Sequence, residues 1–163
     1  ICIDKVGEGA GVYSRVKEVY QNEINSGQIC VYGFDGRLSP PEGLDDDTYA
    51  NYKTYAWFKI AKTFFRERNA NVKDDPLLKK QLSSMKWKYN SSAKVILFDK
   101  ESMRKILGGK SPDRAEAYIM GLDALQYAKK RLNKDNKNQN GWQNGAYVPN
   151  RNIYQTRKPV MTY

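Results

Sequence analysis

Three carboxylates stand at positions where chemistry could be done. Asp4 closes an apolar stretch, Ile1–Val6, immediately ahead of Gly7-Glu8-Gly9-Ala10-Gly11, while Asp113 and Glu116 open a long periodic stretch far downstream. Three apart on a helix, Asp113 and Glu116 share one face. The 163 residues contain no histidine, which excludes the serine, cysteine and zinc-protease chemistries that rest on imidazole. Acid–base work and metal binding then fall to Asp and Glu, whose hard oxygens suit Mg²⁺ or Mn²⁺. Ligands of α/β proteins gather at the carboxyl ends of strands. Acids meeting there from distant segments suit a divalent-metal site acting on phosphate. Carboxylate oxygens of Asp4 and of Asp113 or Glu116 are then expected within about 4–8 Å, the span of a two-ion site. A plainer reading stands beside each acid. Asp4 could simply be hydrogen-bonded to the glycine loop, Asp113 could answer the helix dipole, and Glu116 could be an ordinary solvated helix acid.

Charge points the same way as the acids. The 28 Lys and Arg outnumber the 18 Asp and Glu, for a net charge of +10, which favours a polyanionic partner through counterion release. A well-solvated surface is the alternative. Mean hydropathy is −0.79, and no apolar run approaches the roughly 18 residues a membrane span needs. Cys2 and Cys30 sit in apolar, strand-like stretches and read as buried free thiols rather than a disulfide or metal pair. The glycine run does not make a dinucleotide fingerprint, because Val12 and Ser14 stand where glycine or alanine is required. A Walker-type phosphate loop is also missing from the sequence.

The elements that must position these acids alternate between strand and helix. Ile1–Val6 reads as a strand, the glycines turn the chain into a helix from about Val12 to Gln21, and Gln28–Phe34 reads as a second strand. After a loop with Pro40, Pro41 and the Asp45–Asp47 run, the periodicity predicts one long helix from about Thr48 to Arg68. Its inner side is expected to carry Tyr52, Trp57, Ile60, Ala61, Phe64 and Phe65. The aromatics of that stretch, Tyr55 included, are read as core rather than as a base-stacking platform. Asp75-Pro76 is an N-cap followed by a first-turn proline, opening a helix with the stripe Leu78, Leu82 and Met85. Lys94–Asp99 is a third strand and Glu101–Leu107 a short helix stopped by Gly108 and Gly109. Ser111 caps, and Pro112 opens, a last helix with the stripe Ala115, Tyr118, Ile119, Leu122, Leu125 and Leu132. The class is α/β. Residues 1–132 make one domain, and 133–163 a polar, asparagine-rich, irregular tail.

Four blocks of this sequence resemble the nuclease domain of tailed-phage and prophage terminase large subunits. Ile3-Asp4-Lys5-Val6-Gly7-Glu8-Gly9-Ala10-Gly11-Val12-Tyr13 resembles the strand–turn–helix of those domains. Tyr49-Ala50-Asn51-Tyr52-Lys53-Thr54-Tyr55-Ala56-Trp57 is similar to the opening of their long helix, and Asp74-Asp75-Pro76-Leu77-Leu78 through Gln81-Leu82 to the segment before their final strand. Lys100-Glu101 followed by Gly109-Lys110-Ser111-Pro112-Asp113-Arg114-Ala115-Glu116-Ala117 resembles their most specific signature. The blocks occur in family order over roughly residues 1 to 125.

That resemblance implies an RNase H-like fold, a central mixed sheet flanked by helices, with an acidic cluster binding two Mg²⁺ or Mn²⁺ ions. Asp4 matches the second catalytic acid of the family, and Asp113 and Glu116 match the acidic pair around its third ligand. Glu116 departs from the commoner aspartate, which puts the metal geometry at that position in doubt, so Asp113 is preferred over Glu116 as the third ligand and both are kept. Lys100, at the end of the third strand, could approach the phosphate or simply solvate the strand end, and Lys59, Lys62 and Arg66, on one helical face, are candidate contacts to DNA backbone or an ordinary wet face. The implied activity is endonucleolytic cutting of concatemeric double-stranded DNA in the cytoplasm of a bacterial host, with a packaging ATPase domain, a portal and a small terminase subunit as partners and no membrane. The family's first catalytic aspartate and its ATPase lie upstream of the segment that begins at Ile1. The chain is therefore expected to be an N-terminally truncated piece that folds through residue 132 and is nearly inactive alone. Two other readings stay open: a non-catalytic DNA-docking remnant of a truncated prophage terminase, and another RNase H-like nuclease such as a resolvase or integrase. The Gly-x-Ser-Pro-Asp-x-Ala block argues against the last.

Overall fold

A computed structural model describes residues 1–67 and 74–139. The chain divides into two units, Ile1–Tyr127 and Ala128–Tyr163, and the second is described only through helical residues up to Gln139. In the first unit, β1 (Cys2–Asp4) pairs in parallel with β2 (Tyr32–Phe34), setting Cys2 opposite Tyr32 and Asp4 opposite Phe34. Helices α1 (Gly9–Val19) and α2 (Gln21–Asn25) make the crossover. β3 (Trp87–Tyr89) pairs antiparallel with β4 (Val95–Leu97), and a single parallel bridge joins Val95 to Tyr49. The class is α/β as expected, with one parallel and one antiparallel two-stranded sheet among the described residues. β3 is absent from the expectation although Met85-Lys86-Trp87-Lys88-Tyr89 alternates with a period of two. All three strand residues are exposed, so no buried face accompanies the alternation.

The expected long helix begins later and is not uniform. α3 (Leu44–Thr48) is separate, and the chain is extended at Tyr49 and Asn51. Asn51 then caps a new start, its side-chain oxygen accepting from Thr54 N–H at 2.9 Å and from the Thr54 hydroxyl at 2.8 Å. From there α4 (Tyr52–Tyr55), a π-helical segment (Ala56–Ala61) and α5 (Lys62–Arg66) follow without a break. The wider π turn puts Ala56, Ile60 and Ala61 all on the buried side. The Arg68 end of the expected helix lies outside the described residues. Phe65 is a correction: it is 42% exposed and stacks on Tyr118 with ring centroids 6.2 Å apart, whereas Phe64 is buried and Tyr52, Tyr55 and Trp57 pack against the core.

That core joins Phe34 of β2, the π segment and Phe64 to Ile119 and Leu122 of the last helix, α8 (Asp113–Gln139). α6 (Pro76–Ser84) and α7 (Lys100–Ile106) complete the described helices. Leu125 and Leu132 face outward, 43% and 60% exposed, because the buried stripe of α8 runs Ala115–Ile119–Leu122 and continues to Asp123 rather than Leu125. α8 reaches Gln139, past the expected boundary at 132; residues 140–163 of the expected tail lie outside the described residues. Both cysteines are free and half-buried, and Cys2 Sγ donates to the carbonyl of Met120 at 3.4 Å. Burial, then the nearby Asp123 carboxylate, pushes the Cys2 thiol up to about 11. No helix of the described residues is long and apolar enough to cross a membrane.

Asp123 is only 3% exposed and ties β2, α4 and α8 together. It accepts from the Tyr32 hydroxyl at 2.6 Å and from the Tyr52 hydroxyl at 3.0 Å. Burial, reinforced by this acceptor, drives both phenols well above their ordinary range, so they stay protonated donors throughout the physiological range. Replacing Asp123 by alanine leaves the Tyr52 hydroxyl without its acceptor and Tyr32 with only its longer 3.4 Å bond to the Tyr52 hydroxyl, which costs about 2–3 kcal/mol. Urea denaturation of D123A should show that loss. A change below about 0.5 kcal/mol, the scatter of ordinary surface substitutions, would show the knot to be incidental.

Candidate functional site

Asp4 ends β1, and its position depends on the glycines after it. Gly7 turns the chain at φ +63°, a left-handed conformation open to glycine. Gly9 passes so close under the strand end that a Cβ there would fall 1.8 Å from the Asp4 carbonyl oxygen, whereas a Cβ on Gly11 would meet nothing within 4 Å. Asp4 Oδ1 accepts from Val6 N–H at 3.0 Å. The plain reading of Asp4 as a strand-end acid bonded to its own loop therefore holds for one oxygen. The other makes no hydrogen bond among the described residues.

The opposite wall is the first turn of α8, and a residue from another helix sets it. Gln81 of α6 is 3% exposed. Its amide nitrogen donates to the Ser111 carbonyl at 3.0 Å, and its amide oxygen accepts from Ala115 N–H at 3.0 Å. It thus fills one of the orphan-donor positions of a helix start. This corrects the expected Ser111 cap: the Ser111 hydroxyl is buried and has no hydrogen-bond partner among the described residues. Arg114 reaches back to Asp75, whose other oxygen caps α6 through Leu77 and Leu78 N–H. So oriented, Glu116 points inward and pairs with Lys53 of α4 at 2.6 Å. Asp113 points outward with 71% of its side chain exposed, 3.6 Å from Lys100 Nζ. The Asp113 carboxyl is held below the usual carboxylate range, first by the adjacent Ser111 hydroxyl, although that contact falls short of a formed hydrogen bond, and then by Lys100 and Arg104.

Asp4 and Glu116 line one cleft of about 330 Å³, together with Lys53, Lys100, Arg37, Asn51 and Trp57. Asp113 does not line it and adjoins it through Lys100. Among the described residues, two carboxylates thus face three cations. Arg37 is braced by a two-point contact to Asp35 at 3.0 and 2.9 Å, which draws the Asp35 carboxyl down to about 2. A second cleft, of about 440 Å³, shares Trp57 and Ile119 with the first and is lined by Lys62, Arg66 and Phe65. Lys59 leaves that face and pairs with Asp45 at 3.4 Å. Arg37 escapes a sequence reading because no period or motif marks it, while Lys53 stands in the quoted Asn51-Tyr52-Lys53 block without a role of its own.

The donors in the cleft are oxygens, which fits a hard divalent ion. Among the described residues no group of three or more His, Cys, Asp or Glu side chains could hold a metal. Asp4 and Glu116 are the cleft carboxylates that could hold such an ion, which would then keep several waters, the habit of Mg²⁺.

No family model matches the sequence, and comparison with curated proteins gives no match. Solved structures do match. The nuclease domain of the large terminase subunit gp2 of bacterial virus Sf6 is 20% identical with a TM-score of 0.56, covering 74% of this chain and 63% of that one. The fold is that of a terminase nuclease domain. A lysine-to-alanine variant of the gp2 domain solved with manganese and beta-thujaplicinol gives a TM-score of 0.59, and one solved with calcium 0.56, both at 20% identity. The chain spans 63% of the length of each.

The two helix-start glycines should respond to substitution with opposite signs. Gly9→Ala forces the loop off the Asp4 carbonyl and should cost about 1–3 kcal/mol, the range for overpacking a filled site. Gly11→Ala adds a methyl to open space inside α1 and should gain about 0.5–1 kcal/mol. Thermal melting of both variants tests this, and equal shifts would refute the role given to Gly9.

Proposed function

We propose that the chain is the nuclease part of a phage or prophage terminase large subunit, an RNase H-like, metal-dependent endonuclease that cuts double-stranded DNA during packaging. The observation that carries the reading is the meeting of Asp4 and Glu116, from opposite ends of the folded unit, in one cleft with Lys53, Lys100 and Arg37, on a fold shared with a terminase nuclease domain. The fold would extend to the mixed sheet of the RNase H class, of which β1–β2 and β3–β4 are parts.

In this reading Asp4 and Glu116 are the principal metal ligands. Asp113, kept ionised beside Lys100, is the outer acid of the same turn. Divalent ions, two of them in a complete site, would supply an activated water and neutralise the leaving 3′-oxygen. Lys100 and Arg37 draw the scissile phosphate into the cleft, and Lys62 and Arg66 hold the flanking backbone in the second cleft. Lys59, already paired with Asp45, contributes less. The natural metals are Mg²⁺ or Mn²⁺. The partners are duplex DNA, a packaging ATPase domain, a portal and a small terminase subunit, and the place of action is the host cytoplasm. The pairing of Glu116 with Lys53 and the absence of a three-acid group among the described residues favour a second reading, a DNA-docking module without turnover.

Supercoiled plasmid and Mn²⁺ separate the two, using the longest polypeptide of the same reading frame. Asp4→Asn and Glu116→Gln should each slow nicking by roughly a hundredfold, a loss of about 2.7 kcal/mol of transition-state stabilisation. Undiminished nicking in both variants would remove the site, and binding of duplex without any metal-dependent nicking would establish the docking module. For the second cleft, Lys62→Ala and Arg66→Ala should each weaken duplex binding and lower the salt slope by about 1. Slopes that do not move would take both residues off the DNA path.

A further inference from the structure

Lys53 is the residue the proposed chemistry leaves unexplained. A cleft meant to take cations holds a lysine ammonium 2.6 Å from Glu116 Oε1. Both side chains are partly shielded, 34% and 22% exposed. The root of Lys53 is fixed: its N–H donates to the Gly36 carbonyl at 3.0 Å, and its Cβ lies so near Gly36 that a Cβ added there would stand 3.0 Å away. Only the far end of the side chain is left to choose a partner, and the cleft it lines offers Glu116.

We propose that Lys53 is a built-in competitor for the divalent ion at Glu116, holding that carboxylate until an ion, or the phosphate of an incoming nucleic acid, draws the ammonium away. The inference rests on the reading of the cleft as a metal site. Like charges cannot share one carboxylate cheaply, so the ammonium and an ion at Glu116 exclude or weaken one another. A phosphate entering beside Lys100 and Arg37 offers the ammonium another anion. Substrate and ion would then bind with mutual help, and the ion would be held weakly where no nucleic acid is present. The plainer account, a strut between α4 and α8, is less needed here. Tyr52 and Asp123 already join those helices through a partly buried hydrogen bond of 3.0 Å, and Ile119 packs in the same core as the π segment.

The test is Mn²⁺ binding to the 163-residue chain, read as loss of the free-ion paramagnetic resonance signal, with folding checked by circular dichroism. Lys53→Met should tighten binding by roughly tenfold or more. Lys53→Arg, which keeps the charge, should not. The gain should vanish when Glu116→Gln is added to Lys53→Met. Folded Lys53→Met that binds Mn²⁺ no tighter than the unaltered chain would make Lys53 a strut and overturn the proposal, leaving the metal-site reading intact if Asp4→Asn and Glu116→Gln still weaken binding. No Mn²⁺ binding by the chain or by Lys53→Met would sink both. Should Lys53→Met not fold, the unaltered chain decides: on adding Mn²⁺, Lys53 should become several-fold more reactive toward an amine-acylating reagent, located by mass spectrometry. Unchanged reactivity with bound Mn²⁺ would overturn the proposal.

Discussion

The first turn of α8 is held by Gln81, and everything at the cleft depends on that grip. A side chain 3% exposed spends both ends of its amide on the backbone of the turn, giving to the Ser111 carbonyl and taking from Ala115 N–H. Buried amides are costly to leave unpaired, so the turn has one rotation in which both bonds close. In that rotation Glu116 faces inward, Asp113 faces out, and Ala115 is fully buried. Further along the same helix, Asp123 fixes the depth by taking the hydroxyls of Tyr32 and Tyr52. One helix thus carries a structural acid and two candidate functional acids, and the buried polar contacts keep these roles apart.

The cleft itself is a balance of opposite charges rather than a nest of acids. Lys53, Lys100 and Arg37 outnumber Asp4 and Glu116, and Lys100 also reaches Asp113. Such a surface attracts phosphate before it attracts a cation. Under the proposed function an order of binding would follow from that balance: the net charge of +10 would draw the polyanion, and ions would be held best once phosphates had engaged the lysines. The depressed pKa of Asp113 serves the same arrangement, since an acid kept ionised to low pH keeps Lys100 anchored at the rim. The anchor is present above the ordinary carboxylate pKa and is lost as pH falls through the lowered one.

Much of this was written into the sequence. Asp4 at the end of an apolar stretch before glycines, and Asp113 and Glu116 at a helix start, needed only local rules of strand length, glycine conformation and helical spacing. The apolar periods of Ile60 and Phe64 and of Ile119 and Leu122 likewise named the core that forms. Those rules work because they describe a few neighbouring residues whose geometry the backbone fixes. The absence of histidine restricted the chemistry before any fold was known.

What the tertiary structure alone decided was which distant groups meet. Ser111 has the local credentials of a cap, yet Gln81, from another helix, makes the bond, because packing α6 against α8 puts its amide there first. Nothing in the spacing of Lys53 announces Glu116, nor that of Asp123 two tyrosines. The π turn at Ala56–Ala61 breaks the α period, sending Lys59 to Asp45 and leaving Lys62 and Arg66 on the groove. Leu125 fits the α period of the last helix and is nonetheless exposed, because a helix buries only the face its neighbours cover. Period and propensity are properties of a segment, whereas burial and pairing are properties of the surface that another segment brings to it.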